Sequence, residues 1–154
     1  MQLTLIYLPL LFMQVLFGGV SYYLVTSGQF ATDAAGVDTF KLIALLVVSF
    51  GLLASAFVSK AQFKAIKQKT SLPDKMKAYR PALLIKWSLL EVPGMFCLVF
   101  FLLTGSFVIL ALASPSILLL IINRPTAAGA CMDLELNAAE KAVLENPNSI
   151  IAEV

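Results

Sequence analysis

Glu91 is the residue of this chain whose setting most clearly calls for a chemical role. It lies in an otherwise apolar stretch, ten residues after Pro81, which places it about 15 Å along a helix that starts there. An ionisable group at that depth in a bilayer costs roughly 3 kcal/mol to insert. Because burial disfavours the charged form of a carboxyl, the group can take up and release a proton or an ion when its surroundings change. The sequence therefore predicts an ion-binding carboxyl at Glu91.

Two neighbours of Glu91 could complete a polar niche. Pro93 has no N–H, so the carbonyl of Leu89 loses its helical donor, and Ser88 carries a hydroxyl one turn before the carboxyl. We predict Ser88 and Pro93 as supporting residues. The alternative is that a protonated Glu91 only joins helices through a hydrogen bond. The partner would then be one of three serines in other apolar stretches, Ser49, Ser55 or Ser114.

Enzyme chemistry is disfavoured by the residue types that the chain offers. There is no histidine, and the two cysteines, Cys97 and Cys131, lie in an apolar stretch and in a polar tail. A single mid-membrane carboxylate has no acid–base partner, and no nucleophile–base arrangement or metal-ligand spacing is present in the sequence. We predict that the protein is not an enzyme and that it has no catalytic residues, no metal site and no cofactor.

The composition indicates a membrane protein. Hydrophobic residues make up 60% of the 154 residues and charged residues 13%, with a mean hydropathy of +0.91, whereas soluble domains carry about a quarter charged residues. The excess of apolar residues lies in four long runs. In lipid, a helix satisfies the hydrogen bonds of its own backbone. We predict an all-α integral membrane protein with a transmembrane domain over residues 1–124, followed by an acidic cytoplasmic tail over residues 125–154. Its four transmembrane helices are predicted at about 3–25, 42–60, 82–103 and 107–123.

The orientation follows from the basic residues. Seven of them lie between the second and third runs, and loops rich in lysine and arginine stay in the cytoplasm. They are Lys60, Lys64, Lys67, Lys69, Lys75, Lys77 and Arg80, here called the basic cluster. The opposite connection, residues 26–39, carries Asp33 and Asp38 and no basic residue. Both termini are therefore predicted in the cytoplasm, in a multi-pass protein of the cell (inner) membrane.

The predicted partners follow from this placement. The basic cluster should be drawn to anionic lipid headgroups of the bilayer, or to a specific protein, whereas a net charge of +2 gives no reason to expect nucleic acid. The tail has the opposite charge, so it is either mobile or docked on the basic cluster. Within it, Asn137 and Glu140 predict a helix start, and the alternation over residues 132–136 predicts a short strand.

Residues 42–104 resemble the second half of the proteolipid c subunit of rotary ATP synthases. The likeness rests on Leu72-Pro73-Asp74, on the basic residues after it, and on the apolar helix that carries Glu91. In that family a polar cytoplasmic loop leads into a helix whose central carboxylate carries the ion, so the resemblance implies that role for Glu91. The glycine-rich first helix of the family has no counterpart here, because the second run contains only Gly51.

Two functions remain open from the sequence. The first is a small polytopic membrane subunit that translocates protons or ions through Glu91, as a homo-oligomer or within a larger membrane complex, since four helices enclose little space. The second is a non-catalytic structural or accessory membrane protein that docks partners through the basic cluster and the acidic tail. The orientation of the Glu91 carboxyl discriminates between them, because a carboxyl bonded inside its own bundle favours a structural role.

Overall fold

The structure is a computed structural model, and it describes residues 2–29 and 36–145, with side chains over 4–29 and 36–144. Throughout this described part the regular elements are α-helices. They are α1 (Gln2–Thr26), α2 (Val37–Lys67), α3 (Leu72–Thr104), α4 (Phe107–Ile122), α5 (Ala127–Leu134) and α6 (Ala138–Glu145). Asp33 and residues 146–154, which the sequence places in the outer connection and the end of the tail, lie outside the described residues.

Three helices, α1, α2 and α3, are long and apolar enough to cross a membrane, and α4 together with α5 passes the same test as a pair bent by 94°. Their outer faces carry large apolar side chains that no other part of the described chain covers. Phe50 and Phe57 of α2 are 75% and 78% exposed, and Leu5 of α1 is 71% exposed. In water such a surface would be unfavourable. The chain therefore has the build of a membrane protein with several spans.

The long helix α3 lies at the centre of the bundle, where it contacts α1, α2 and α4. α2 and α4 run antiparallel to it, as the Phe63–Tyr79 and Phe101–Phe107 ring pairs record. On the α2 side the fit is close. A Cβ on Gly51 would overlap the ring of Pro93 and would lie 3.2 Å from the carbonyl oxygen of Leu89, so only glycine allows this approach. The turn into α4 is made by Gly105 with φ +67°.

The prolines inside the spans are accommodated locally. Pro115 leaves the carbonyl of Ala111 without its helical N–H donor, and the Ser114 hydroxyl donates to that oxygen at 2.7 Å. The serine hydroxyl thus takes the place of the missing backbone donor. Pro81 and Pro93 both lie inside α3 without ending it.

The basic cluster is mostly helical, because α2 continues to Lys67 and α3 begins at Leu72, leaving residues 68–71 as the connection. The structure corrects one local prediction. Residues 132–134 belong to α5, so the predicted strand over 132–136 is wrong. Thr126 caps that helix by accepting from Gly129 N–H, and this local signal outweighs an alternation of only five residues. The predicted cap at Asn137 is confirmed, with reciprocal bonds between Asn137 and Glu140.

Candidate functional site

Glu91 lies on the side of α3 that faces α1. The ring of Trp87, four residues earlier, packs on Tyr7 with centroids 5.3 Å apart. Leu98, seven residues later, reaches to within 3.5 Å of where a Cβ on Gly18 would lie. Residues four before and seven after a helical position share its face. Since both contacts join α3 to α1 and both numbers rise together, α1 and α3 run parallel and Glu91 borders their seam.

The Glu91 carboxyl is partly exposed, and no side chain or backbone group of the described residues gives it a hydrogen bond. The three serines predicted as its alternative partners either form hydrogen bonds elsewhere or are exposed. Ser55 donates to the carbonyl of Lys86 at 3.3 Å, Ser114 bonds within α4, and Ser49 is exposed. A hydrogen bond from Glu91 to one of these serines is therefore not the arrangement in this structure.

The predicted supporting residues lie on different sides of α3. Ser88 is exposed and lines an apolar groove between α2 and α3. Pro93 is buried against Gly51 on the α2 side, and the carbonyl of Leu89 faces the same glycine. Two residues along a helix turn the side chain by about 200°, so Pro93 points away from Glu91. The structure does not bring Glu91, Ser88 and the freed carbonyl together around one point.

Polar side chains instead meet on the face of α1 that packs against α3 and α4. Tyr7, Gln14 and Ser21 are the buried residues of the described part of α1, at 5%, 0% and 0% exposure. Their spacing of seven residues keeps them on one face of the helix. That face packs against α3 and α4, so α1 turns a polar stripe toward the interior and its apolar side chains outward. Together with Ser116 of α4, which is also fully buried, these residues are here called the polar seam.

The middle of the polar seam is built around Gly94. A Cβ at this position would overlap the amide nitrogen of Gln14 and would lie 3.1 Å from Cβ of Ser116. Gly94 therefore makes room for the Gln14 side chain between three helices. It also follows Glu91 by three residues, so Glu91 lies one helical turn closer to the start of α3 than the Gln14 amide.

Several side-chain atoms of the polar seam have no hydrogen-bond partner among the described residues. Both side-chain atoms of Gln14, the hydroxyl of Ser21 and the hydroxyl of Ser116 are buried without a hydrogen bond in the described part of the chain. Buried polar groups in folded proteins nearly always have a partner, protein or water. Ordered water is the usual partner of such groups where the protein itself offers none.

At the end of the polar seam that lies beside the basic cluster, the polar side chains have hydrogen-bond partners. The Tyr7 hydroxyl donates to the carbonyl of Leu120 at 2.8 Å, and the indole N–H of Trp87 donates to the carbonyl of Asn123 at 3.0 Å. Leu120 lies in the last turn of α4 and Asn123 is its C-cap, where carbonyls have no helical N–H donor. These two bonds fasten α1 and α3 to the end of α4.

The basic cluster and the tail form a second polar region. Lys75 and Glu140 make an ion pair of 2.6 Å with both side chains largely buried, and Lys67 pairs with the exposed Glu135 at 2.7 Å. The Tyr79 hydroxyl donates to Asp133 at 2.7 Å. These three contacts, here called the latch, hold α5 and α6 against α2 and α3. The Lys75 ammonium and the N–H of Asn137 hold the pKa of the Glu140 carboxyl below its ordinary value.

The polar seam was not predicted from the sequence, although a signal for it exists. In the first apolar run, Tyr7, Gln14 and Ser21 recur every seven residues, and a polar heptad in a membrane helix indicates a face turned away from lipid. Comparison with protein-family models, with curated proteins and with solved structures finds no match to this chain.

Proposed function

We propose that the protein is a small subunit of the cell membrane, with four spans and both termini in the cytoplasm, that translocates protons or ions through Glu91. The orientation is supported by the clustering of charge, since the basic cluster and Arg124 lie at the same end of the antiparallel bundle. The fourth span is α4, whose 16 residues cover about 24 Å, and the polar residues that follow it would complete the crossing.

The observation that carries the proposal is the unpartnered state of the Glu91 carboxyl near the unpartnered Gln14 and Ser116 of the polar seam. A polar group that only joins helices has its partner in place. A carboxyl that exchanges an ion must instead be free to take it up. The Gln14 amide, one turn further along, and the Ser116 hydroxyl offer donors and acceptors to water molecules that would pass a proton along the seam.

An assembly of several copies suits this function better than a single chain. Val92, next to Glu91, is 52% exposed, and Ser88 is exposed as well, so one flank of the carboxyl faces the membrane or a neighbouring subunit. We propose that a homo-oligomer or a larger membrane complex covers this flank. The likeness of residues 42–104 to the proteolipid c subunit belongs to the same proposal, and it extends to Glu91 alone.

The test is ion flux in liposomes that contain the purified full-length chain. Glu91→Gln keeps the size and hydrogen-bonding capacity of the side chain but removes its titration, so flux should be lost while expression and helicity are unchanged. Glu91→Asp is the matched control, because it keeps a titratable carboxyl and should retain part of the flux. Normal flux through Glu91→Gln protein would rule out the proposed role.

A structural or accessory role is the second candidate, and the basic surface beside the latch favours it. Lys60, Lys64, Lys69 and Lys77 are exposed, and they make no ion pair within the described residues. Such a surface would attract an acidic partner or anionic lipid. Neither role includes a chemical reaction. If flux is absent from the unmodified protein and Glu91→Gln protein still assembles, the accessory role is the one that survives.

A further inference from the structure

A cleft of about 650 Å³ opens at the cytoplasmic end of the bundle, where α2, α3, α4 and α5 meet. It is here called the basic cleft. Its walls carry four lysines, Lys60, Lys64, Lys67 and Lys86, against one acid, Asp133. That acid already accepts the Tyr79 hydroxyl, and Lys67 is engaged with Glu135. Unbalanced positive charge therefore remains in the cleft.

The basic cleft changes character along its length. At its deep end it is lined by Leu52, Leu90 and Leu119, and at its outer end by Lys60 and Lys64. From Leu52 to Lys64 the wall follows twelve residues of α2, which is about 18 Å. An apolar floor that leads to a cationic rim matches a molecule with a hydrocarbon chain and an anionic head.

Lys86 is the side chain that most needs such a ligand. It is partly buried between the apolar floor and the rim, and its ammonium lies 5.4 Å from the centre of the Phe63 ring. Within the described residues it has no acidic partner. A lysine at this depth ordinarily reaches the interface or pairs with an anion, and the basic cleft holds it beside Lys64 and Lys60.

We propose that the basic cleft binds one anionic phospholipid, with its phosphate between Lys60, Lys64 and Lys86 and one acyl chain along the apolar floor. A free phosphate would satisfy the lysines but leave the floor uncovered, which is why the lipid is the occupant that fits. The proposal goes beyond the role of Glu91 and does not depend on it, because the carboxyl is not among the residues that line the cleft.

The test uses the full-length chain in phosphatidylcholine nanodiscs, with spin-labelled phosphatidylglycerol or spin-labelled phosphatidylcholine as the probe. Electron paramagnetic resonance then measures the motionally restricted, protein-bound fraction of each lipid. The anionic probe should be preferred. Lys64→Gln with Lys86→Gln should remove most of that preference, since each lysine near an anionic headgroup contributes about fivefold.

The matched control is Lys69→Gln with Lys77→Gln, which removes the same charge from exposed positions outside the cleft. It should leave most of the preference intact, as should Lys64→Arg with Lys86→Arg, which also guards against a folding defect in the glutamine pair. Equal losses in the two glutamine pairs would mean diffuse attraction and overturn the proposal. So would the absence of any preference, or full displacement of the probe by millimolar inorganic phosphate.

Discussion

The start and the middle of α3 border polar groups of opposite kinds. Near its start, Lys75 and Tyr79 are bonded to Glu140 and Asp133 of the tail. Near its middle, the groups around Gly94 belong to the polar seam and have no partner in the described residues. The first set fixes one arrangement of the chain, whereas the second leaves hydrogen-bonding capacity unused inside the bundle. Under the proposed function, stability and ion exchange would belong to different stretches of one helix.

The largest effect is expected from filling the space at Gly94. In Gly94→Ala the new methyl group overlaps the Gln14 amide, and overpacking of this kind costs about 1–3 kcal/mol. Because the obstacle is the end of a flexible side chain, adding Gln14→Ala should recover most of the loss. The free energy of unfolding in mixed micelles, followed by the fluorescence of Trp87, measures both.

Gly19→Ala is the matched control for this substitution, because a Cβ at Gly19 meets nothing within 4 Å. It should leave the free energy of unfolding unchanged or slightly improved. If Gly94→Ala protein were equally stable, Gln14 would not occupy the seam as described.

The next effect is expected at the latch. Lys75→Ala removes the partner of a largely buried Glu140, and hydrogen bonds to charged groups contribute about 1.5 kcal/mol or more. Lys67→Ala breaks a pair whose glutamate is 76% exposed, so its cost should stay below about 1 kcal/mol. The rate at which a protease cleaves the connection between α4 and α5 measures the opening of the latch in each variant. Equal rates would show that burial of the Lys75 pair does not matter.

Acid should open the latch through the same pair. The pKa of the Glu140 carboxyl is lowered by Lys75 and by the N–H of Asn137, so its contribution is complete above the ordinary glutamate value of about 4.3. It is lost as the pH falls through the lowered value, where the carboxyl takes up a proton. A spin label at position 142 should therefore become mobile only under distinctly acidic conditions. In Glu140→Gln protein the label should be mobile already at neutral pH.

The smallest effect on stability is expected from removing one hydroxyl of the polar seam. Ser116→Ala breaks no hydrogen bond to another described residue, so the free energy of unfolding should change by less than about 0.5 kcal/mol. Tyr79→Phe removes a bonded hydroxyl from the latch and should cost about 1 kcal/mol. Ser116→Ala should nevertheless slow ion flux. A large stability cost without a change in flux would make the seam a structural element like the latch.

Much of this architecture could be predicted from the sequence, because apolar run length and capping are local properties. The four long helices and the Asn137–Glu140 cap needed no knowledge of neighbours. The polar seam could not be predicted in this way. The spacing of Tyr7, Gln14 and Ser21 identifies an interior face only once the packing of α1 against α3 and α4 is known. The groups of the niche predicted around Glu91 lie apart for a similar reason. The packing of Pro93 on Gly51 fixes the rotation of α3, and that rotation depends on α2.

The latch also has a consequence for the order of events during synthesis. Lys67 and Lys75 precede Glu135 and Glu140 by 68 and 65 residues, and the whole of α4 lies between them. Chains emerge from the ribosome with the earlier residues first, so these lysines are made while their acidic partners do not yet exist. During that interval the tail does not yet neutralise them, and in the proposed orientation it is then that positive charge would direct how the second and third helices enter the bilayer. The tail reaches Lys67 and Lys75 only afterwards.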